Sequence, residues 1–171
     1  MRTNIFILTF LFLTTLLFGQ TDDRINVIRK IVEQTNNDTV YVKKTLDNEQ
    51  WMEQMTDGGG QLTGFFKDGR LVKIIEWIGF SNSVFSYEYY LQNYSLIFVY
   101  GQEKVFKYNE STDTFDSNIQ TVTMECRYYF DNDKLIKSEF SGQLEGNSTP
   151  SDADATHLLD ICNQYSTLLI K

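Results

Sequence analysis

An eight-residue pattern that occurs three times constrains the fold of this chain more than any other feature. Each copy has two aromatic or large apolar residues, a short polar turn with Asp or Asn at the fourth position, and then Leu followed by Val or Ile. The copies span residues 65–72, 90–97 and 129–136. This spacing predicts a β-hairpin, because the turn residues tolerate the positive φ angles that tight hairpin turns require. Repeated hairpins predict a meander of antiparallel strands.

The composition fits a sheet-rich globular domain. Of the 171 residues, 42% are hydrophobic and 15% aromatic, which is enough apolar material for a sizeable core. Aromatic residues favour sheets because flat rings pack well on a pleated surface. The net charge is −8 and the sequence has no cluster of Lys and Arg. We therefore expect no nucleic-acid partner.

The N-terminal residues predict export. Arg2 is the only charged residue among the first twenty, and residues 5–19 form an almost unbroken apolar run. This run is shorter than the roughly 20 residues that a membrane-spanning helix needs, and it has the charged start and the small residue near its end that are typical of a secretory signal peptide. We predict a signal peptide over residues 1–19 and a single domain over residues 20–171. The mature protein would be periplasmic or secreted and would not span a membrane; an uncleaved anchor is the alternative.

Two helices are predicted outside the sheet. In residues 21–35, apolar side chains recur at helical spacing, and Asn36-Asn37 follows as a stop signal. A second amphipathic helix begins at Ser151, with Asp154 as its capping-box partner. The predicted fold class is therefore α+β, a curved antiparallel β-meander of about six to eight strands flanked by an N-terminal and a C-terminal helix.

Side-chain alternation predicts which strand faces are buried. A two-residue turn at Asp68-Gly69, followed by a turn near Phe80 that keeps odd positions together, gives one apolar face. Its members are Leu62, Gly64, Phe66, Leu71, Ile75, Trp77, Phe85, Tyr87, Tyr89, Leu91, Leu96, Phe98 and Tyr100. The opposite face is mixed and carries Glu76 and Glu88.

Few residues could carry catalysis. His157 is the only histidine, so any Ser–His or Cys–His arrangement would use it, but we interpret it as a solvent-facing residue of the C-terminal helix. One histidine and two well-separated cysteines argue against a zinc site, and we expect no cofactor and no metal. Glu76 and Glu88 are the only candidates for a hydrolase that uses acidic residues, since a glycosidase needs two carboxylates. The favoured reading is that both are solvated.

Cys126 and Cys162 predict a disulfide. Cys126 lies on the apolar face of a predicted strand, and Cys162 lies on the apolar stripe of the C-terminal helix. If the helix packs on the sheet, both sulfurs point into one layer, and two cysteines in a small exported domain usually pair. Two buried free thiols that act as small apolar residues are the alternative.

The hairpin segments GGGQLTGFFKDGRLVKI, EYYLQNYSLIFVY and RYYFDNDKLIK resemble uncharacterised small secreted proteins of Bacteroidota-type bacteria. The aromatic–Asx–Leu hairpin is also loosely similar to periplasmic PepSY-like sheets and to the sheets of lysozyme or β-lactamase inhibitors. The first resemblance covers most of the mature chain. Neither resemblance implies an activity or a functional residue, because a fold does not determine a function.

We expect a non-enzymatic, extracytoplasmic binding module for a protein or a cell-envelope component. An aromatic sheet can present a recognition surface, and the sequence offers no convincing catalytic constellation. The alternatives are a hydrolase that uses Glu76 and Glu88, or a carbohydrate-binding sheet. A row of exposed aromatic rings would favour a sugar ligand, and an apolar groove would favour a protein or lipid ligand. Two facing glutamates in a cleft would favour an enzyme.

Overall fold

A computed structural model describes the backbone of residues 4–142 and 154–171, with side chains from residue 21 onward. The chain divides into two compact units, Met1–Asn37 and Asp38–Lys171. In the first, helix α1 spans Asn4–Asn37. It ends at the predicted stop signal, but it begins before Thr21, where the predicted helix starts. The helix continues through Gly19 because a single interior glycine costs a helix only about 1 kcal/mol. Within the described part of the chain, no helix combines the length and apolar character that a membrane crossing requires.

The described part of the second unit contains a seven-stranded antiparallel sheet and two further helices. Its elements in chain order are β1 Val42–Asp47, α2 Asn48–Trp51, β2 Gly60–Lys67, β3 Arg70–Gly79, β4 Ser83–Gln92, β5 Ser95–Asn109, β6 Thr114–Asp131, β7 Lys134–Gly142 and α3 Asp154–Ile170. The strands lie side by side in the same order as in the sequence. The predicted α+β class and the antiparallel meander are therefore confirmed. The predicted start of the C-terminal helix at Ser151 lies outside the described residues.

All three sequence repeats form the predicted tight hairpins. The two central residues of each turn have positive φ angles: Asp68 (50°) and Gly69 (74°), Asn93 (51°) and Tyr94 (68°), and Asn132 (49°) and Asp133 (58°). Positive φ at both central positions is what a type I′ turn requires, and the twist of this turn matches the twist of the flanking strands.

Each repeat also contains a β-bulge at the same position, which the repeat pattern alone does not predict. The pairing register shifts between Phe65 and Phe66, and equivalently in the other two hairpins. In each case the residue without a partner is the branched residue after the Leu of the repeat: Val72, Ile97 and Ile136. An extra residue reverses the alternation of side chains beyond it, so every later position changes face.

The bulges correct the predicted faces. Four residues that were predicted on the buried face lie on the opposite one: Ile75, Trp77, Phe98 and Tyr100. Their places in the core are taken by Ile74, Glu76, Val99 and Gly101, which pair across the sheet with the inward residues of β4 and β6. Glu76 thus enters the core, and Trp77 leaves it.

Helix α3 packs on the buried face of the sheet. Its buried residues recur at helical spacing and join the sheet in one hydrophobic cluster: Ala155, Leu158, Cys162, Tyr165 and Leu169. Gly64 of β2 allows a close approach, because a Cβ atom there would lie 3.0 Å from a methyl group of Leu169. The ammonium of Lys44 donates to the Leu169 carbonyl at 3.0 Å and to the Leu168 carbonyl at 3.4 Å. These contacts satisfy carbonyl groups that a helix end leaves unpaired.

The predicted disulfide between Cys126 and Cys162 is wrong in this structure, although both cysteines lie in the same cluster as expected. Both are buried free thiols. The sulfur of Cys126 occupies the space above Gly101, where a Cβ atom would lie 2.5 Å from the sulfur and 2.5 Å from the ring of Tyr87. The thiol is therefore accommodated as a small apolar group on the sheet.

Candidate binding groove

The face of the sheet opposite α3 contains a groove of about 460 Å³ beside the turn between β3 and β4. Two neighbouring rows of residues from β3, β4 and β5 form its floor: Trp77, Ser86 and Gln102, and then Gly79, Val84 and Lys104. These residues share a face because residues directly opposite one another in a sheet point to the same side.

The side of the groove comes from the long hairpin of β5 and β6. Strand β4 pairs with β5 only as far as Val105, and β7 pairs with β6 only as far as Met124. Beyond these residues the hairpin continues as a two-stranded arm, residues 106–121. The backbone N–H of Phe106 donates to the carbonyl of Asn82 at 2.8 Å, which ties the base of the arm to the β3–β4 turn.

A large bulge brings the arm to the groove. Phe106 pairs with Gln120 and the next residue pairs with Asp116, so residues 117–119 have no partner in the opposite strand. Extra residues bend a hairpin and increase its twist. Phe106, Ser117 and Gln120 all line the groove as a result. Gln120 is held in place because its side-chain nitrogen donates to the carbonyl of Ser117 at 2.9 Å.

Trp77 presents an aromatic surface in the groove, with 40% of the residue exposed. Gly79 leaves room for the indole, since a Cβ atom there would lie 2.7 Å from Cη2 of the ring. Gly58 packs directly on Gly79, where its own Cβ would meet the carbonyl carbon at 2.4 Å, and the N–H of Gly79 donates to the carbonyl of Gly59 at 2.9 Å. The glycine run 58–60 therefore serves close backbone packing beside the ring.

Uncharged polar side chains surround the aromatic surface. The amide nitrogen of Gln102 donates to the hydroxyl of Tyr100 at 2.8 Å and to a carboxylate oxygen of Glu125 at 3.2 Å, which fixes the amide. Among the described residues that line this groove, none is acidic and Lys104 alone is ionisable. The groove thus offers hydroxyl and amide groups, one aromatic face and one ammonium group.

A second, open depression of about 690 Å³ lies on the other side of Trp77. It is lined by the glycine run, by Asn48 and Gln61, and by two carboxylates, Asp47 and Glu49. Trp77 therefore stands between a region with a positive charge and a region with two negative charges.

The predicted hydrolase pair is not assembled. Glu76 pairs with Tyr87, whereas Glu88 pairs with Ile75, so the two glutamates point to opposite faces of the sheet. The prediction that they share a face is wrong because the β3–β4 turn places even positions of β3 opposite odd positions of β4, with Glu76 and Tyr87 as one such pair.

Glu76 lies in the core between the sheet and α3. Glu76 is 6% exposed, and its two carboxylate oxygens accept hydrogen bonds from the hydroxyls of Tyr89 at 2.8 Å and Tyr165 at 2.7 Å. Burial raises the pKa of Glu76, and the two hydrogen bonds oppose that rise. Both oxygens are thus used to connect β4 and α3.

A cleft of about 290 Å³ opens next to Glu76 and is also lined by Glu53. The sequence gives no signal for Glu53, because the cleft combines α2, β3 and α3, which are far apart in the chain. Glu88, on the other face, forms an ion pair with Lys73 at 2.8 Å. His157 is exposed on α3, as predicted. Among the described residues, no three His, Cys, Asp or Glu side chains are grouped to hold a metal ion.

The groove could not be found from the sequence, because Trp77 was predicted to be buried. Its exposure depends on the bulge at Val72, and the arm reaches the groove only through the bulge at residues 117–119. Comparison with protein-family models, curated protein sequences and solved structures finds no match to this chain.

Proposed function

We propose that this protein is a non-enzymatic extracytoplasmic binding module that binds a carbohydrate of the cell envelope in the groove around Trp77. The observation that carries the proposal is an exposed indole ring held on the sheet, with two hydrogen-bonded amide side chains and two serine hydroxyls around it. A volume of about 460 Å³ lies within the range of small-molecule sites.

A sugar fits this combination of groups better than a lipid or a protein segment does. One face of a pyranose ring carries C–H groups that pack on an aromatic ring, while its hydroxyls both donate and accept hydrogen bonds. Ser86, Ser117, Gln102 and Gln120 supply both donors and acceptors. A lipid would remove these polar groups from water without offering them hydrogen bonds, which costs binding energy.

The N-terminal sequence supports an extracytoplasmic location for this activity. The apolar run of residues 5–19 follows a single positive charge and ends at a small residue, as in a secretory signal peptide. Export would bring the groove to the compartment where envelope glycans occur.

Binding of the purified protein to an array of neutral and acidic glycans tests the proposal. We expect wild-type protein to bind a defined subset of glycans, and Trp77→Ala to lose that binding because the stacking surface is removed; stacking on an aromatic ring is worth about 1–3 kcal/mol in other ligands with flat faces. The matched control is Phe115→Ala on the arm, since Phe115 is 42% exposed but lies outside the groove.

Thermal unfolding of both variants shows whether they remain folded. If folded wild-type protein binds no glycan on the array, or if folded Trp77→Ala binds as wild type does, the proposed function is wrong.

A further inference from the structure

We infer that the groove selects glycans that carry a carboxylate, such as uronic or sialic acids, and that Lys104 is the residue that confers this selectivity. The inference rests on the proposed function and specifies its ligand class. It starts from the position of Lys104, which lines the groove one row beyond Trp77, opposite Val84.

Lys104 has an ammonium group without a counter-charge among the described residues. Lys104 as a whole residue is half-buried where it lines the groove, and it forms no ion pair with any residue of the described chain. A ligand that covers the groove would remove this ammonium from water, which is unfavourable unless the ligand supplies a partner. A carboxylate on a bound ligand would supply that partner through a charge-assisted hydrogen bond.

The charges around the groove also define an orientation. The protein has a net charge of −8, so its overall field repels anions and only a local positive charge can attract one. Lys104 lies on one side of Trp77, while Asp47 and Glu49 line the depression on the other side. An acidic sugar would therefore place its carboxylate toward Lys104, and a neutral neighbouring unit would extend toward the two carboxylates.

A carboxylate fits this site better than a phosphate does. Phosphate groups in proteins are usually bound by several donors, such as an arginine fork or the N–H groups at a helix N-terminus. The described residues that line the groove include no arginine and no helix N-terminus. One ammonium group with neighbouring amides and hydroxyls matches a single negative charge.

Calorimetric titration with a matched ligand pair tests the selectivity. The acid ligand is a disaccharide of one galacturonic acid and one neutral hexose, and its methyl ester has the same rings and hydroxyls without the charge. Where the array favours another acidic glycan, that glycan and its methyl ester are used. We expect wild-type protein to bind the acid about tenfold more tightly than the ester at low ionic strength. Added salt should reduce this preference because it screens the charge.

Three variants assign the preference to Lys104. Lys104→Gln should bind acid and ester equally, whereas Lys104→Arg should keep the preference because the charge remains. Lys107→Gln is the control, since Lys107 is an exposed lysine of the same strand that does not line the groove.

The outcomes separate the inference from the proposed function. If wild-type protein binds acid and ester equally, or if Lys104→Gln keeps the preference, the inference is overturned while carbohydrate binding stands. If wild-type protein binds no glycan of either kind on the array, both the inference and the proposed function fail.

Discussion

Glu76 is a single residue that links three elements of the core. It lies on β3 and accepts hydrogen bonds from Tyr89 on β4 and Tyr165 on α3. The ring of Tyr165 also packs edge-on against Tyr89, with centroids 5.9 Å apart, and against Trp51 of α2 at 5.5 Å. A polar group therefore organises the contact between helix and sheet, and its protonation affects the stability of the fold.

The pH dependence of stability should report on Glu76. Burial raises the pKa of Glu76 in the folded protein, so its stabilising contribution is complete below the unfolded pKa and is lost as the pH rises through the folded pKa. We expect the free energy of unfolding of wild-type protein to fall relative to that of Glu76→Gln as the pH rises above about 4. Urea unfolding at a series of pH values measures this difference.

Glu125 provides a control of opposite sign. The hydrogen bond from Tyr100 lowers the pKa of Glu125, so its stabilising contribution is present above the unfolded pKa and is lost as the pH falls. Wild-type protein should therefore gain stability relative to Glu125→Gln as the pH rises. A difference between wild type and Glu76→Gln that does not change with pH would contradict the assignment for Glu76.

The thiols of Cys126 and Cys162 should be present but unreactive in the folded protein. Burial raises the pKa of Cys126 to about 11 and that of Cys162 to about 12, so little reactive thiolate exists at neutral pH. We expect a thiol reagent to label neither cysteine in native protein and both cysteines after unfolding without reductant. Two unreactive cysteines in the unfolded protein would show that the disulfide forms in solution.

At the scale of elements, the hairpin repeat sets the geometry of the sheet. Each of its three copies combines a two-residue turn with a bulge on the second strand. The turn joins the two strands. The bulge increases their twist and moves the side chains that follow it on the second strand to the other face of the sheet. With this combination, the Leu of each repeat faces the core, and the residue after it has no pairing partner in the neighbouring strand of the hairpin.

Substitutions in two of these turns should have opposite effects. Gly69 has a φ of 74°, and a Cβ atom added there would have no other atom within 4 Å, so Gly69→Val should lower the free energy of unfolding by about 1–2 kcal/mol through backbone strain alone. Tyr94 occupies the equivalent position with a φ of 68° and is 66% exposed. Tyr94→Gly should raise the free energy by up to about 1 kcal/mol, because glycine adopts this conformation without strain.

Urea unfolding of both variants measures these changes, and Gly69→Asn is the control because asparagine tolerates positive φ. Equal destabilisation by Gly69→Val and Gly69→Asn would mean that side-chain contacts, and not the backbone conformation, determine the effect.

At the scale of the whole molecule, the second unit separates its roles between the two faces of the sheet. Helix α3 covers one face and builds the core there. The opposite face carries the groove, whose floor comes from three strands and whose side comes from the arm. A binding site on a rigid sheet loses little conformational entropy when a ligand binds, which suits a recognition function.

The N-terminal sequence predicts where the molecule acts. We expect cleavage after Gly19 or one residue later, so the secreted protein should begin near Gln20, and intact-mass measurement on exported protein checks this. Leu11→Arg should block export because a charge interrupts the apolar run. Exported protein that retains Met1 would contradict the prediction of a signal peptide.

Local sequence signals were sufficient to predict the hairpins and their order. Turn residues act locally: Asp68-Gly69 and the equivalent pairs favour positive φ whatever surrounds them, and short turns make consecutive strands neighbours. Signals of the same kind predicted the end of α1 and the apolar stripe of α3. These features depend on residues that are close together in the chain.

Long-range packing decided which side chains face the core and which form the groove. A strand side chain changes face when the register moves by one residue, and the register depends on pairing between strands and on packing against α3. The bulge at Val72 thereby buried Glu76 and exposed Trp77. The pairing of β3 with β4 separated Glu76 from Glu88, while packing over Gly101 left Cys126 as a free thiol. The candidate site therefore depends on contacts between residues that are far apart in the chain, which no local pattern encodes.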